Sequence, residues 1–149
     1  MKWVTREGAK VDRIACPWLI SKFIDTKPEF VFVPRDKVQE VAESQNAIPF
    51  DTPGVALTHY VENGREHVSF DALIKKYNLT DPALLELAKI VRGADADIPD
   101  PPPESAGLEA IALGFRELAK NDHENMKMQF PTYDALYRYC ELKLIRSAR

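Results

Sequence analysis

Thr58-His59-Tyr60-Val61-Glu62-Asn63-Gly64-Arg65-Glu66-His67-Val68-Ser69-Phe70 is the stretch on which the reading of the fold turns. Asn-Gly between two alternating runs is a strong short-range signal for a two-residue hairpin, because both central residues of such a turn need positive φ. A turn at Asn63-Gly64 sets Glu62 opposite Arg65, Val61 opposite Glu66, Tyr60 opposite His67 and His59 opposite Val68. Alternation then gives one face Leu57, His59, Val61, Val68 and Phe70, and the other Thr58, Tyr60, Glu62, Arg65 and His67. The first face reads as core. It predicts a hairpin over residues 55–70 with His59 turned inward and His67 outward.

Upstream, Trp3-Val4 suggests a short strand. Val11, Ala15, Trp18, Leu19 and Phe23 recur at helical spacing and predict a helix near 11–25. Pro17 has two readings there: an interior proline that interrupts the helix, or a first-turn proline behind a Cys16 cap. Phe30-Val31-Phe32-Val33 is an uninterrupted β-branched and aromatic run, a strand covered on both faces. Val38–Ser44 predicts a short helix and Ala47–Phe50 a strand before the turn Asp51-Thr52-Pro53-Gly54.

Downstream the pattern becomes helical. Phe70, Leu73, Ile74 and Tyr77 mark one helix. Asp81-Pro82 starts another that runs through Ile90-Val91. A stiff loop follows over Asp97-Ile98-Pro99-Asp100-Pro101-Pro102-Pro103. Ser105 is expected to cap a third helix, and Met126, Phe130, Tyr133, Tyr137, Cys140 and Leu144 form the packing stripe of the last. The expected fold is α+β in one domain, 1–149: a small, mainly antiparallel sheet with helices on one side and a helical C-terminal half packed against it.

The 149 residues carry a net charge of -3, with 45% hydrophobic and 29% charged residues. That composition fits one globular domain and excludes disorder, and its acidic balance disfavours nucleic acid as a partner. No apolar run approaches the ~20 residues of a membrane helix. The opening Met1–Glu7 lacks the apolar stretch of a secretory signal, so a cytoplasmic address and two reduced thiols, Cys16 and Cys140, are expected.

Ordered along almost the whole chain are Val11-Asp12-Arg13-Ile14-Ala15-Cys16-Pro17-Trp18-Leu19-Ile20-Ser21-Lys22-Phe23-Ile24-Asp25, Phe30-Val31-Phe32-Val33-Pro34, Ile48-Pro49-Phe50-Asp51, Thr58-His59, Val68-Ser69-Phe70, Asp81-Pro82-Ala83-Leu84, Ile90-Val91-Arg92-Gly93-Ala94-Asp95, Glu104-Ser105-Ala106-Gly107-Leu108 and Tyr133-Asp134-Ala135-Leu136-Tyr137. Together these motifs resemble the chromate-resistance protein family, the domain that forms the C-terminal part of ChrB-type regulators. Val68 stands where members often have cysteine and Arg92 where they often have histidine, so a metal site built on those two positions would be lost here. The resemblance implies a role in oxyanion or metal stress and no particular reaction. The N-terminal regulatory region of the longer members has no counterpart here, so direct DNA binding is not expected.

Five residues are candidates for a site. His59, a titratable side chain on an apolar face, is either a satisfied core histidine or a group that binds an anion, ligates a metal or moves a proton. Arg13 and Arg92 could hold a tetrahedral oxyanion in their guanidinium forks, or pair with Asp12, Asp51 or Asp95 as structural ion pairs. Cys16 is either a thiol activated by a helix N-terminus or a small buried core residue. Asp95, with Asp97, could bind a cation. The leading expectation is an accessory or sensing domain that binds a small anion or metal near Arg13, Cys16, His59, Arg92 and Asp95. An enzyme using His59 as acid/base, with Cys16 or Asp51 assisting, and an interaction module using the last helix are the alternatives. Neither a cofactor nor an oligomeric state can be read from the residues.

Overall fold

The first strand, β1 (Lys2–Arg6), lies at the centre of a three-stranded sheet in the computed structural model, which describes residues 1–148. It is followed by α1 (Asp12–Leu19), β2 (Glu29–Val33), α2 (Val38–Ser44) and β3 (Ile48–Pro49). The sheet order is β2-β1-β3 and both pairings are parallel, with Trp3 beside Phe30 and Ile48. This corrects the expected mainly antiparallel sheet. Parallel neighbours need a crossover, and here α1 and α2 supply the two crossovers.

Alternation along β1 feeds two separate cores. Trp3 joins the large cluster with α1, whereas Val4 packs with Val31, Val33, Val38 and Ala42 under α2. Helices therefore cover both faces of the sheet rather than one. The uninterrupted Phe30–Val33 run serves both cores, as a strand buried on two sides should.

Pro17 sits inside α1 and takes the first of its two readings. Without an N–H it cannot bond the carbonyl of Arg13. One turn later the helix loosens into a π-helical turn, Ile20–Ile24, closed by Asp25 N–H donating to Ile20 O at 2.8 Å.

The antiparallel element is confined to β4 (Tyr60–Glu62) and β5 (Arg65–His67), joined at Asn63-Gly64, both of positive φ. Its register is the expected one, and the Tyr60 and His67 rings stack at 4.7 Å. Its reach and its core face are not. The strands stop short of residues 59 and 68, Val61 is 72% exposed, and Phe70 lies in the following helix, α3 (Ser69–Lys76). A three-residue hairpin cannot bury a face of its own.

Then come α4 (Pro82–Asp95), α5 (Glu104–Leu118) and α6 (Asp122–Ser147). Asp81 caps α4 by accepting the N–H groups of Ala83 and Leu84. Ser105 is not the α5 cap. Its side chain turns back to donate to Ile90 O at 2.8 Å, which draws α5 onto α4. The α6 stripe packs into the large core, with Tyr133 and Cys140 fully buried. Both cysteines are buried free thiols, and among the described residues no helix is long and apolar enough to cross a membrane.

Candidate functional site

In open parallel sheets, ligands favour the carboxyl ends of strands where the crossover direction reverses. Here β1 connects to β2 on one side and β2 returns across it to β3 on the other, so the reversal lies between β1 and β3. Arg6 ends β1, Asp51 follows β3 by one residue beyond Phe50, and Asp12 opens α1 at the same end.

Asp12 is buried, with a side chain only 1% exposed. Its carboxylate sits against the first turn of α3, where Oδ2 accepts the Ser69 N–H at 2.7 Å and Oδ1 the Phe70 N–H at 3.2 Å. Free N–H groups at a helix start favour an anion in that position. Asp51 is held at φ 50 by its N–H bond to Leu57 O, and its Oδ1 accepts the Ser69 hydroxyl at 2.6 Å. Asp95 is the last residue of α4.

His59 enters from the loop before β4. Its Nε2 lies 3.0 Å from Asp95 Oδ2, 3.4 Å from Asp51 Oδ1 and 3.5 Å from Asp12 Oδ2. It is neither inward among apolar neighbours nor buried. The side chain is 37% exposed and lines a cavity of about 430 Å³ with Leu57, Tyr60, Ala72, Lys75 and Lys76. The expected core face is therefore corrected: outside the hairpin ladder, the His59 ring is free to turn toward carboxylates from three other segments.

One imidazolium cannot donate its single Nε2 proton fully to three carboxylates. The charges respond accordingly. Hydrogen bonds to the carboxylates of Asp12, Asp51 and Asp95 raise His59 to about 12, so it is charged at neutral pH. Burial, reinforced by the Asp95 charge, raises Asp12 to about 7 despite its contact with His59. Burial also pushes Asp51 up, but hydrogen bonds from His59 and Ser69 and the charge of Arg13 outweigh it, leaving Asp51 below its ordinary value.

Two guanidinium groups stand behind Asp51. Arg6 Nη2 and Arg13 Nη1 are each 3.7 Å from Asp51 Oδ2, too far for good hydrogen bonds. Arg6 Nε donates to the Asp51 carbonyl at 2.9 Å and Arg13 Nη2 to Gly8 O at 3.0 Å, while the buried Arg13 Nε has no partner among the described residues.

Of the five residues expected to share a site, His59 and Asp95 meet directly and Arg13 lies behind Asp51. Cys16 is one turn along α1 from Asp12 and donates Sγ–H to its Oδ1 at 3.5 Å. Burial, then the Asp12 charge, push that thiol well above its ordinary value, so it is no thiolate. Arg92 does not reach His59's carboxylates. Its guanidinium forks onto Asp71, with Nε and Nη2 at 2.9 and 2.7 Å from the two oxygens. Asp97 lies beyond the end of α4, beside a different cavity lined by Arg65, His67 and Lys89.

Sequence reasoning missed Asp12 and Ser69 as members of the cluster. Asp12 carried a usable signal: it lies four residues before Cys16, a candidate, and so on the same side of the helix.

The spacing within the cluster suits ion pairs and metal ligands alike. Ligands about 2.1 Å from a first-row divalent ion lie about 3.0 Å apart at octahedral edges and about 3.4 Å apart at tetrahedral ones. The Nε2–oxygen distances span that range, and the ligating atoms of Asp12, His59 and Asp95 all lie within 4.8 Å of one another.

Comparison with known proteins gives two matches. The family described as ChrB, C-terminal domain, matches residues 3–140. Protein ChrB of Cupriavidus metallidurans is 32% identical over 139 residues, which cover 93% of this chain and 40% of that protein. The chain thus spans well under half the length of this relative. No solved structure matches it.

Proposed function

Because the chain belongs to the ChrB C-terminal domain family, we propose that it serves chromate resistance as an accessory or sensing domain that binds a divalent metal ion through His59, Asp12 and Asp95, with Asp51 as a fourth ligand. The observation that carries this reading is the approach of His59 Nε2 to carboxylates from α1, from the segment after β3 and from the end of α4, at 3.0–3.5 Å. Imidazole with carboxylates is a donor set for zinc, iron(II) or manganese rather than for calcium, which takes oxygen alone.

The same chemistry favours a cation over a bare oxyanion at this point. Asp12, Asp51 and Asp95 all face His59 Nε2, while Arg6 and Arg13 approach only the other oxygen of Asp51, so a tetrahedral anion placed at His59 would meet the carboxylates first. A metal ion replaces the shared proton with a charge that all the ligands can contact at once. Binding should release protons, since the ligating forms are neutral imidazole and ionised carboxylate.

The test is thermal unfolding of the full chain with Mn²⁺, Zn²⁺, Ni²⁺ and Fe²⁺. At a hundredfold excess over its dissociation constant, a bound ion adds about 2.7 kcal/mol of stability. The stabilisation should disappear in His59→Ala and in Asp95→Asn. A panel that leaves the melting temperature unchanged would remove the metal reading.

A further inference from the structure

The two ligand oxygens that are best fixed in the cluster are fixed by one residue. Ser69 N–H donates to Asp12 Oδ2 at 2.7 Å, and Ser69 Oγ–H donates to Asp51 Oδ1 at 2.6 Å. These are the same two oxygens that face His59 Nε2, at 3.5 and 3.4 Å. Ser69 is itself fully buried at the first position of α3. The Val68 N–H, donating to Asp71 Oδ2 at 3.0 Å, and the Asp71–Arg92 fork anchor that turn to α4, whose last residue is Asp95.

We infer that Ser69 is a positioning residue, whose hydroxyl and backbone N–H together aim one oxygen each of Asp51 and Asp12 at the proposed metal. The inference rests on the metal reading above. A carboxylate oxygen has lone pairs enough to accept one hydrogen bond and still ligate a cation. With one lone pair committed to Ser69, each oxygen presents the other in a fixed direction. Such partners of metal ligands typically change metal affinity by about 10–100-fold when removed.

The two carboxylates depend on Ser69 unequally. Asp12 keeps its backbone donors from Ser69 and Phe70 whatever side chain stands at 69. Asp51 has only the hydroxyl on Oδ1 besides His59. Its other oxygen lies 3.7 Å from both Arg6 and Arg13, which would draw the group away once the hydroxyl is gone. Loss of the hydroxyl should therefore act through Asp51.

Calorimetric titration of the full chain with Mn²⁺ tests this in wild type, Ser69→Ala, Asp51→Asn and the double variant, with near-UV circular dichroism verifying the native core of each. The expected result is that Ser69→Ala weakens Mn²⁺ binding about 10–100-fold and has almost no further effect in the Asp51→Asn background. Wild-type binding that Ser69→Ala leaves unchanged overturns the inference and spares the metal site. Equal weakening by Ser69→Ala in both backgrounds also overturns it, since that is the behaviour of a merely structural residue. Should Ser69→Ala lose its native core, the hydroxyl is holding the fold and the inference falls. Wild type that binds no Mn²⁺, nor any ion of the thermal panel, overturns the metal reading and this inference with it.

Discussion

Two carboxylate sites flank the first turn of α3, and they are built on opposite plans. On one side Asp71 faces one charged partner, and the Arg92 guanidinium matches its two oxygens with two bonds of 2.9 and 2.7 Å. Charge is balanced and geometry closed. On the other side Asp12, Asp51 and Asp95 crowd one His59 nitrogen, and the nearest guanidinium groups stop 3.7 Å short of Asp51. With Arg6 and Arg13 counted the charges balance here too, but three carboxylates converge on one nitrogen, and like charges held that close are costly. The difference separates an ion pair that holds helices together from a cluster for which the proposed metal would account.

The largest contrast should appear in stability. Arg92→Ala leaves Asp71 buried without its fork, and is expected to cost about 3 kcal/mol in urea unfolding, the low end for a broken buried pair because Arg92 is partly exposed. Asp95→Asn relieves repulsion in the cluster and should leave the metal-free protein as stable as wild type or more so. Equal losses from the two variants would erase the distinction.

A smaller effect comes from the helix that both sites share. Gly93 lies between Arg92 and Asp95, and a methyl group there would stand 2.3 Å from Ser105 Oγ and 2.9 Å from Pro101 Cβ. Gly93→Ala should cost about 2 kcal/mol by overpacking the α4–α5 contact. It should weaken metal binding too, since it shifts the helix end that carries Asp95. Unchanged unfolding in urea would mean that the contact between α4 and α5 is looser than drawn.

The pH response is a further sign of the cluster. Asp12 rises from 3.8 to about 7 and His59 from 6.5 to about 12, so both bind protons more tightly when folded. Stability drawn from a raised group is complete below its unfolded value and is lost as pH climbs to its folded one. The metal-free protein should accordingly lose stability through the Asp12 window of 3.8 to 7, and the His59 window, which opens at 6.5, extends the loss into alkaline solution. Asp51, lowered, acts with opposite sign in more acid solution. Melting temperatures across pH 5 to 8 should fall in wild type and fall less in Asp12→Asn; parallel slopes would contradict the assignment to Asp12.

Much of this was legible in the residues, unevenly and for physical reasons. Asn63-Gly64 announced its turn and register because a two-residue turn is decided by its own φ angles. It also misled, since a hairpin visible at short range suggested an antiparallel sheet, whereas Lys2 pairs with Glu29 across a whole crossover helix. The continuous Phe30–Val33 run already carried the parallel signature. His59, Asp95 and Arg13 were found by chemical type. Asp12 was taken only as a possible arginine partner, and Ser69 as part of a motif, because their roles depend on α3 starting where α1 starts. Arg92 was drawn into the site, with Arg13, by its guanidinium fork, and it lies three residues before Asp95 on α4. Three helical positions turn the side chain little around the axis, but Asp71 stands in the way and captures it.

The most direct test is a crystal structure of the chain grown with Mn²⁺ and measured for its anomalous signal. The account predicts one strong peak at about 2.0–2.3 Å from His59 Nε2, Asp12 Oδ2 and Asp95 Oδ2, with Asp51 Oδ1 closing on it and the Asp71–Arg92 fork unchanged. A map with no peak between His59 and the three aspartates, and the manganese elsewhere or absent, would contradict it.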